Sequence, residues 1–368
     1  MKKLYKDIRF TKGILTLTAG LLIAGCSAED ELGNNSSAQQ LNMIPMVNDL
    51  QKSRANDEDA LHEKTLSKLD FKMFEPESGK CCVNHHSSSP AENQAEVLGK
   101  DNWKKNLNLQ EDHSYNYYAV ANAQADLSKK TLEELQTATQ QDNDIWQPYP
   151  QAKDKKFLMS AKGQYIISKD PIQNIPVELV RAAAKIKLNL SSSVNGYNIT
   201  NVKWKFLNYN TNTSVFAGQT ATPNIMSNNE DNTVDKIEAN KCSVTTYSYS
   251  TTWTSQEDAP KIAVKVVFQS KDNKNDTREK ELTIPVRDPK GEKKLERNYI
   301  YTVNADIKRL KDSINIDYNE ELGYLKWAIT KWTTGEDTEV DADKASYLVV
   351  YPTTLDIKGV EDDNQADK

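Results

Sequence analysis

Two short stretches concentrate the side chains best able to do chemistry. Cys81-Cys82-Val83-Asn84-His85-His86 is the densest group of soft metal ligands, and Cys26 follows Ile23-Ala24-Gly25 at the end of an apolar run that opens at Gly13. A zinc site needs spacings that let four side chains converge. Vicinal cysteines and vicinal histidines point to opposite sides of an extended backbone, so neither a metal nor another cofactor is expected at 81–86. All four histidines (His62, His85, His86 and His113) lie in the first third of the chain, which excludes a histidine-dependent mechanism confined to the second half. Phosphate-cradling glycine motifs are absent. Carboxylates are so plentiful that a close pair carries no message about glycoside hydrolysis. No catalytic constellation stands out, and an enzyme is not expected.

Around Cys26 the pattern is more specific. Lys2, Lys3, Lys6, Arg9 and Lys12 precede the apolar run, which closes on small residues. A basic start, an apolar middle and a small-residue cut site mark residues 1–25 as an export signal. The run is shorter than the roughly 20 apolar residues that a spanning helix needs. Ile23–Cys26 resembles the bacterial lipoprotein signal, which implies that Cys26 is diacylated, becomes the mature N-terminus and tethers the chain to the outer membrane. Ser27-Ala28-Glu29-Asp30-Glu31 resembles the surface-export signal of Bacteroidetes lipoproteins; taken alone it is a solvated acidic tether. Of the remaining thiols, Cys81, Cys82 and Cys242, neighbours cannot bridge without strain. Free thiols are expected over a bond from Cys242 to Cys81 or Cys82.

Composition narrows the fold. Of the 368 residues 27% are charged, with a net charge of −6, which excludes the basic face that nucleic acid demands. Short alternating runs of Thr, Tyr, Val, Ile and Asn favour strands joined by polar loops.

In chain order, 41–50 supplies one apolar, strand-like segment, followed by Arg54 in a polar stretch of the kind proteases reach. Leu69, Phe71 and Met73 share a strand face; residues from about 78 to 101 read as a polar loop. Tyr115–Ala123 reads as a buried strand. Thr131-Leu-Glu-Glu134 is a capping box opening a short helix to about Ala138, with Leu132 and Leu135 inward. Pro171 and Pro176 disfavour regular pairing, and a domain boundary is expected at that linker. Alternation is clearer in the second half: Ile186, Leu188, Leu190; Val202, Trp204, Phe206; Tyr247, Tyr249, Thr251, Trp253; Val264, Val266; Leu282, Ile284, Val286; Tyr299, Tyr301, Val303. These are sheets with one buried face, and the aromatics are core and cross-strand partners rather than a sugar-stacking platform. Residues 325–332 and 346–357 supply further strands, the last apolar on both faces.

Several of these segments, taken together, resemble the fimbrillin superfamily of Bacteroidales, the lipoprotein-derived pilins that include FimA- and Mfa-like fimbrial subunits. The residues that carry it are Tyr118–Ala123, Thr131–Leu135, Phe157–Ser160, Leu179–Leu188, Arg297–Val303 and Trp327–Trp332, in order, spanning about 41 to 351. The resemblance implies a mainly β chain of two consecutive transthyretin-like β-sandwich domains, 55–176 and 177–345, with a short helix in the first. It implies that 26–54 is a tether and propeptide carrying a removable strand, with cleavage between Arg54 and Ala55. Loss of that strand would leave an open groove that another subunit fills by strand addition. The candidate donor is the terminal strand within 346–368, with Tyr347, Val349, Tyr351, Leu355 and Ile357 as its contact residues. Partners would be other fimbrial subunits, the outer membrane before processing, and an adhesion receptor.

A stalk subunit would be cut and would donate a strand. A tip or accessory subunit would accept one, and an anchor would keep Cys26. With no segment left over for a further domain, a polymerising subunit is expected. A surface lipoprotein that binds glycan or host protein without polymerising is the alternative of a different class. Asp312-Ser-Ile314 resembles the Bacteroidetes O-glycosylation pattern.

Overall fold

A computed structural model describes residues 39–47, 63–148, 156–287, 291–310, 322–331 and 349–350. Cys26, Arg54, Ala55, Tyr347, Tyr351, Leu355, Ile357 and the 312–314 motif lie outside the described residues.

The first half contributes β1 (Gln40–Val47), β2 (Leu69–Phe74), β3 (Cys81–Ser87), β4 (Glu96–Lys100), β5 (Ser114–Ala121), β6 (Thr139–Gln141), β7 (Met159–Ile166) and β8 (Ile172–Arg181). Two short helices, α1 (Trp103–Asn106) and α2 (Leu132–Gln136), accompany them. Seven strands form one sheet in the order β3-β2-β5-β7-β8-β1-β4. The sheet curls on itself. β7 and β8 pair only at Met159–Arg181 and Ser160–Val180 before separating, and the two end strands approach, with Glu96 of β4 beside His85 and Ser87 of β3. Leu69, Phe71, Met73, Ala119, Ile175 and Val177 are fully buried.

The second half contributes β9 (Ala183–Ser192), β10 (Tyr197–Leu207), β11 (Tyr209–Asn210), β12 (Asn212–Ser214), β13 (Ile225–Met226), β14 (Asn232–Thr233), β15 (Lys241–Tyr249) and β16 (Thr251–Thr252). It continues with β17 (Lys261–Ser270), β18 (Thr277–Pro285), β19 (Lys294–Leu295), β20 (Tyr299–Ile307), β21 (Leu322–Lys331) and β22 (Val349–Val350). A four-stranded sheet, β14-β10-β17-β18, and a seven-stranded sheet, β13-β11-β15-β9-β20-β21-β22, carry most of them. Ile186, Leu188, Val202, Phe206, Val266, Tyr247 and Tyr301 are fully buried, so the alternation read from the sequence marks the core. Trp327 on β21 donates its indole N–H to the Pro285 carbonyl of β18 at 2.9 Å, which ties the two sheets together. β6 pairs with β12 and joins the first half of the chain to the second.

The capping box forms as expected. The Thr131 hydroxyl accepts from the Glu134 amide at 3.3 Å, and the Glu134 carboxylate accepts from the Thr131 amide at 2.8 Å. Two expectations need correction. The stretch expected as a loop, 78–101, contains β3 and β4; end strands lack a second neighbour, so they tolerate the polar residues that obscured them. The stretch expected as a linker, Pro171–Pro176, leads into and forms part of β8, which runs to Arg181. Pro176 is accommodated because, over 172–179, β8 has a hydrogen-bonded neighbour on one side only, β1; proline's missing donor is tolerated on such an edge.

Candidate functional site

The most informative feature is a strand rather than a cluster of reactive side chains. β1 lies between two partners, parallel to β8 along all eight residues and antiparallel to β4 from Gln40 to Met43. Alternation buries Leu41, Met43 and Val47 at 0%, 0% and 3% exposure. At about 1.5–3 kcal/mol for each fully buried apolar side chain, β1 contributes on the scale of a whole domain's stability.

Main-chain bonds show which edge of β1 faces which partner. The Gln40 amide donates to the Pro171 carbonyl at 2.8 Å, on the β8 side. The carbonyls of Gln39 and Pro45 accept from Asp101 and Asn93 at 3.0 and 2.8 Å, on the β4 side. A residue's N–H and C=O leave a strand in the same direction, so even positions address β8 and odd positions address β4. Pro45 therefore turns its missing donor toward the β4 side, beyond the last β1–β4 pair, Met43 with Glu96.

The walls on either side of β1 are also tied to each other independently of it. β4 runs into α1, where fully buried Trp103 donates its indole N–H to the Pro171 carbonyl at 3.1 Å. One carbonyl thus accepts from β1 and from the opposite wall. Gly99 permits this approach: a Cβ there would lie 2.9 Å from Trp103 Cβ and 2.9 Å from Leu107 Cδ1. At the other end of β4, Glu96 accepts from the Ser87 hydroxyl at 3.2 Å and lies 3.4 Å from His85 Nε2. Subtracting β1 leaves β4 attached to α1 and β3, facing β8 across a gap one strand wide.

Beyond β1 the next described residue is Glu63, and it is firmly held. Its carboxylate lies 2.8 Å from Lys185 Nζ of β9 and accepts from the Tyr247 hydroxyl of β15 at 2.6 Å. Its carbonyl accepts from Arg181 Nε at the end of β8 at 2.9 Å. Burial by itself would raise this carboxyl's pKa; the charge and hydrogen bond of Lys185, followed by Tyr247 and the charge of Arg181, outweigh it and hold the pKa below the usual value. The chain is pinned at residue 63 by β8, β9 and β15, not by β1.

Val349, in β22, pairs with Trp327 of β21, and Val350 with Lys326. Cys81, Cys82 and Cys242 are free thiols. Among the described residues no three His, Cys, Asp or Glu side chains come together as a metal site, and no helix is long and apolar enough to cross a membrane. Trp103, Gly99 and Glu63 were not singled out from the sequence. A four-residue helix has no readable period, and His62-Glu63-Lys64 looks like any solvated run.

No protein-family model matches the chain, and no curated protein matches its sequence. Solved structures do match. The fimbrilin FimA of Porphyromonas gingivalis W83 aligns with a TM-score of 0.53 at 13% identity, covering 85% of this chain and 96% of that one. The fold is that of Bacteroidales fimbrial proteins. A proposed cell adhesion protein from Parabacteroides distasonis aligns at a TM-score of 0.54 and 16% identity, covering 81% of this chain and 98% of that one. The tip fimbrial protein Mfa3 of P. gingivalis, solved with a C-terminal truncation, aligns at 0.50 and 15%, covering 80% and 100%. The resemblance read from the sequence therefore holds at the level of the fold, and the chain is mainly β with very little helix.

Proposed function

We propose that this chain is a structural subunit of a cell-surface fimbria that supports adhesion. It is delivered as a lipoprotein through Cys26, cut between Arg54 and Ala55, and assembled by strand exchange with other subunits. The carrying observation is β1, a strand buried between β8 and β4, where β4 is held without it, to the Pro171 carbonyl ahead of β8 through Trp103 and to β3 through Glu96. Such a strand can be removed with its neighbours left in place, which opens unpaired edges and an apolar slot together. A strand from another subunit restores both the main-chain bonds and the side-chain burial. The fold shared with FimA and Mfa3 supports the fimbrial reading.

The same reading divides the chain into two consecutive transthyretin-like sandwiches; the boundary expected at 176 falls inside β8 (Ile172–Arg181), and we move it to the passage from β8 into β9. The terminal segment 346–357 is the donor. Mass spectrometry of the mature N-terminus on the cell surface tests the scheme. Ala55 as the first residue, with heat-sensitive ladders on denaturing gels, is the expected result. An acylated Cys26 and no ladder would instead identify an anchor or a non-polymerising lipoprotein.

A further inference from the structure

The terminal segment repeats a pattern found in β1. Leu41-Asn-Met-Ile-Pro45 and Leu348-Val-Val-Tyr-Pro352 each place a leucine four residues before a proline, with an apolar residue midway at Met43 and Val350. Resting on the assembly scheme above, we infer that the terminal strand of a second copy enters the β1 slot in β1's own direction and in one register, with Pro352 in the place of Pro45.

The proline sets the register. Pro45 is tolerated because its absent donor points to the β4 side past the last pair, while its carbonyl accepts from Asn93 at 2.8 Å. With Pro352 there, Leu348 and Val350 take the buried places of Leu41 and Met43. Thr354, with valine's shape and a hydroxyl for one methyl, takes that of Val47. Tyr347, Val349 and Tyr351 then lie on the other face, in the places of Gln40, Asn42 and Ile44.

Other registers fail on stated grounds. A slip of one residue turns Pro352 toward β8, which pairs with β1 along its whole length, so a ladder bond is lost; it also exchanges every inward side chain for an outward one. A slip of two toward the start sets Pro352 opposite Glu96, where β4 is paired. A slip of two the other way brings Ser346 into the buried place of Leu41.

Disulfide trapping in assembled filaments tests the register. Asn42 lies opposite Val97, and its amide addresses β8, so this is the closer, non-hydrogen-bonded kind of pair, within disulfide reach. In full-length chains carrying C81S, C82S and C242S, V97C should crosslink between copies with V349C and not with L348C or V350C. E96C should crosslink with V350C, since Met43 lies opposite Glu96; this second pair also fixes the direction. Filaments in which V97C instead captures L348C or V350C, in which neither pair forms, or in which V349C–V97C forms without V350C–E96C, would overturn the register and leave the assembly scheme standing. A triple-serine parent that is surface-exposed yet forms no filaments would overturn both.

Discussion

Removing β1 should cost most of the stability of the sheet that holds it, and a peptide should give part of it back. The strand buries Leu41, Met43 and Val47, which at about 1.5–3 kcal/mol each amounts to roughly 5–9 kcal/mol. That sum is an upper figure, because an unfolded chain already hides part of its apolar surface, yet it is comparable to the roughly 5–15 kcal/mol that stabilises a whole domain. At about 2–4 °C per kcal/mol for a unit of this size, a chain beginning at Ala55 should melt about 10 °C or more below one beginning at Ser27. The two are compared by calorimetry or near-ultraviolet circular dichroism. A synthetic peptide of residues 346–357 added in trans should raise the lower transition as RT ln(1 + [L]/Kd), about 2.7 kcal/mol at a hundredfold excess over Kd, which corresponds to roughly 5–10 °C. Transitions within about 2 °C of each other, or a scrambled peptide as effective as the native one, would refute the view that β1 occupies a slot made for exchange.

Glu63→Ala removes one member of the buried Glu63–Lys185 ion pair and should destabilise the chain by about 3–5 kcal/mol, while Glu63→Leu paired with Lys185→Met should recover most of that; chemical denaturation measures both. Because the Glu63 pKa is held below the usual carboxyl value near 4.3, its stabilisation is complete above that value and is lost as pH falls through the folded-state pKa; the Leu/Met double variant should flatten this acid limb in melts below about pH 4.5. Gly99→Ala forces a Cβ to 2.9 Å from both Trp103 and Leu107 and should cost about 1–3 kcal/mol, read as a lower melting temperature. Burial lifts the Cys242 thiol to about 11, so alkylation of the native chain at pH 8 should modify exposed Cys81 well before Cys242, a difference that peptide mapping shows and that unfolding abolishes.

Sequence and structure agree best where periodicity is sustained. Val202, Trp204 and Phe206, or Ile186, Leu188 and Leu190, announce their strands because one face is buried and the other wet over many residues. The capping box of α2 was legible because two side chains satisfy two amides at fixed spacing. β3 and β4 were hidden by Asn84, His85, His86 and Gly99, which an end strand or a close helix allows. β8 was hidden by Pro176, whose tolerance depends on β8 having one neighbour there, a fact of topology rather than of local sequence. The strand expected at 41–50 is present as Gln40–Val47; its removal is what the fimbrillin resemblance implies and what the proposal takes up. What could not be read was how its neighbours hold together without it, since Trp103 reaches the Pro171 carbonyl across 68 positions.

The Pro171 carbonyl, with one lone pair for the Gln40 amide and one for the Trp103 indole, has a kinetic consequence. If β1 is exchanged as proposed, this acceptor keeps a partner, so the rim of the slot stays anchored where an arriving strand's first amide would land. A ladder begun at a fixed point can lengthen bond by bond, each bond shortening the search for the next. If the chain assembles by strand exchange as proposed, an incoming strand then starts by docking a single residue against a preset corner, rather than by ordering a whole edge.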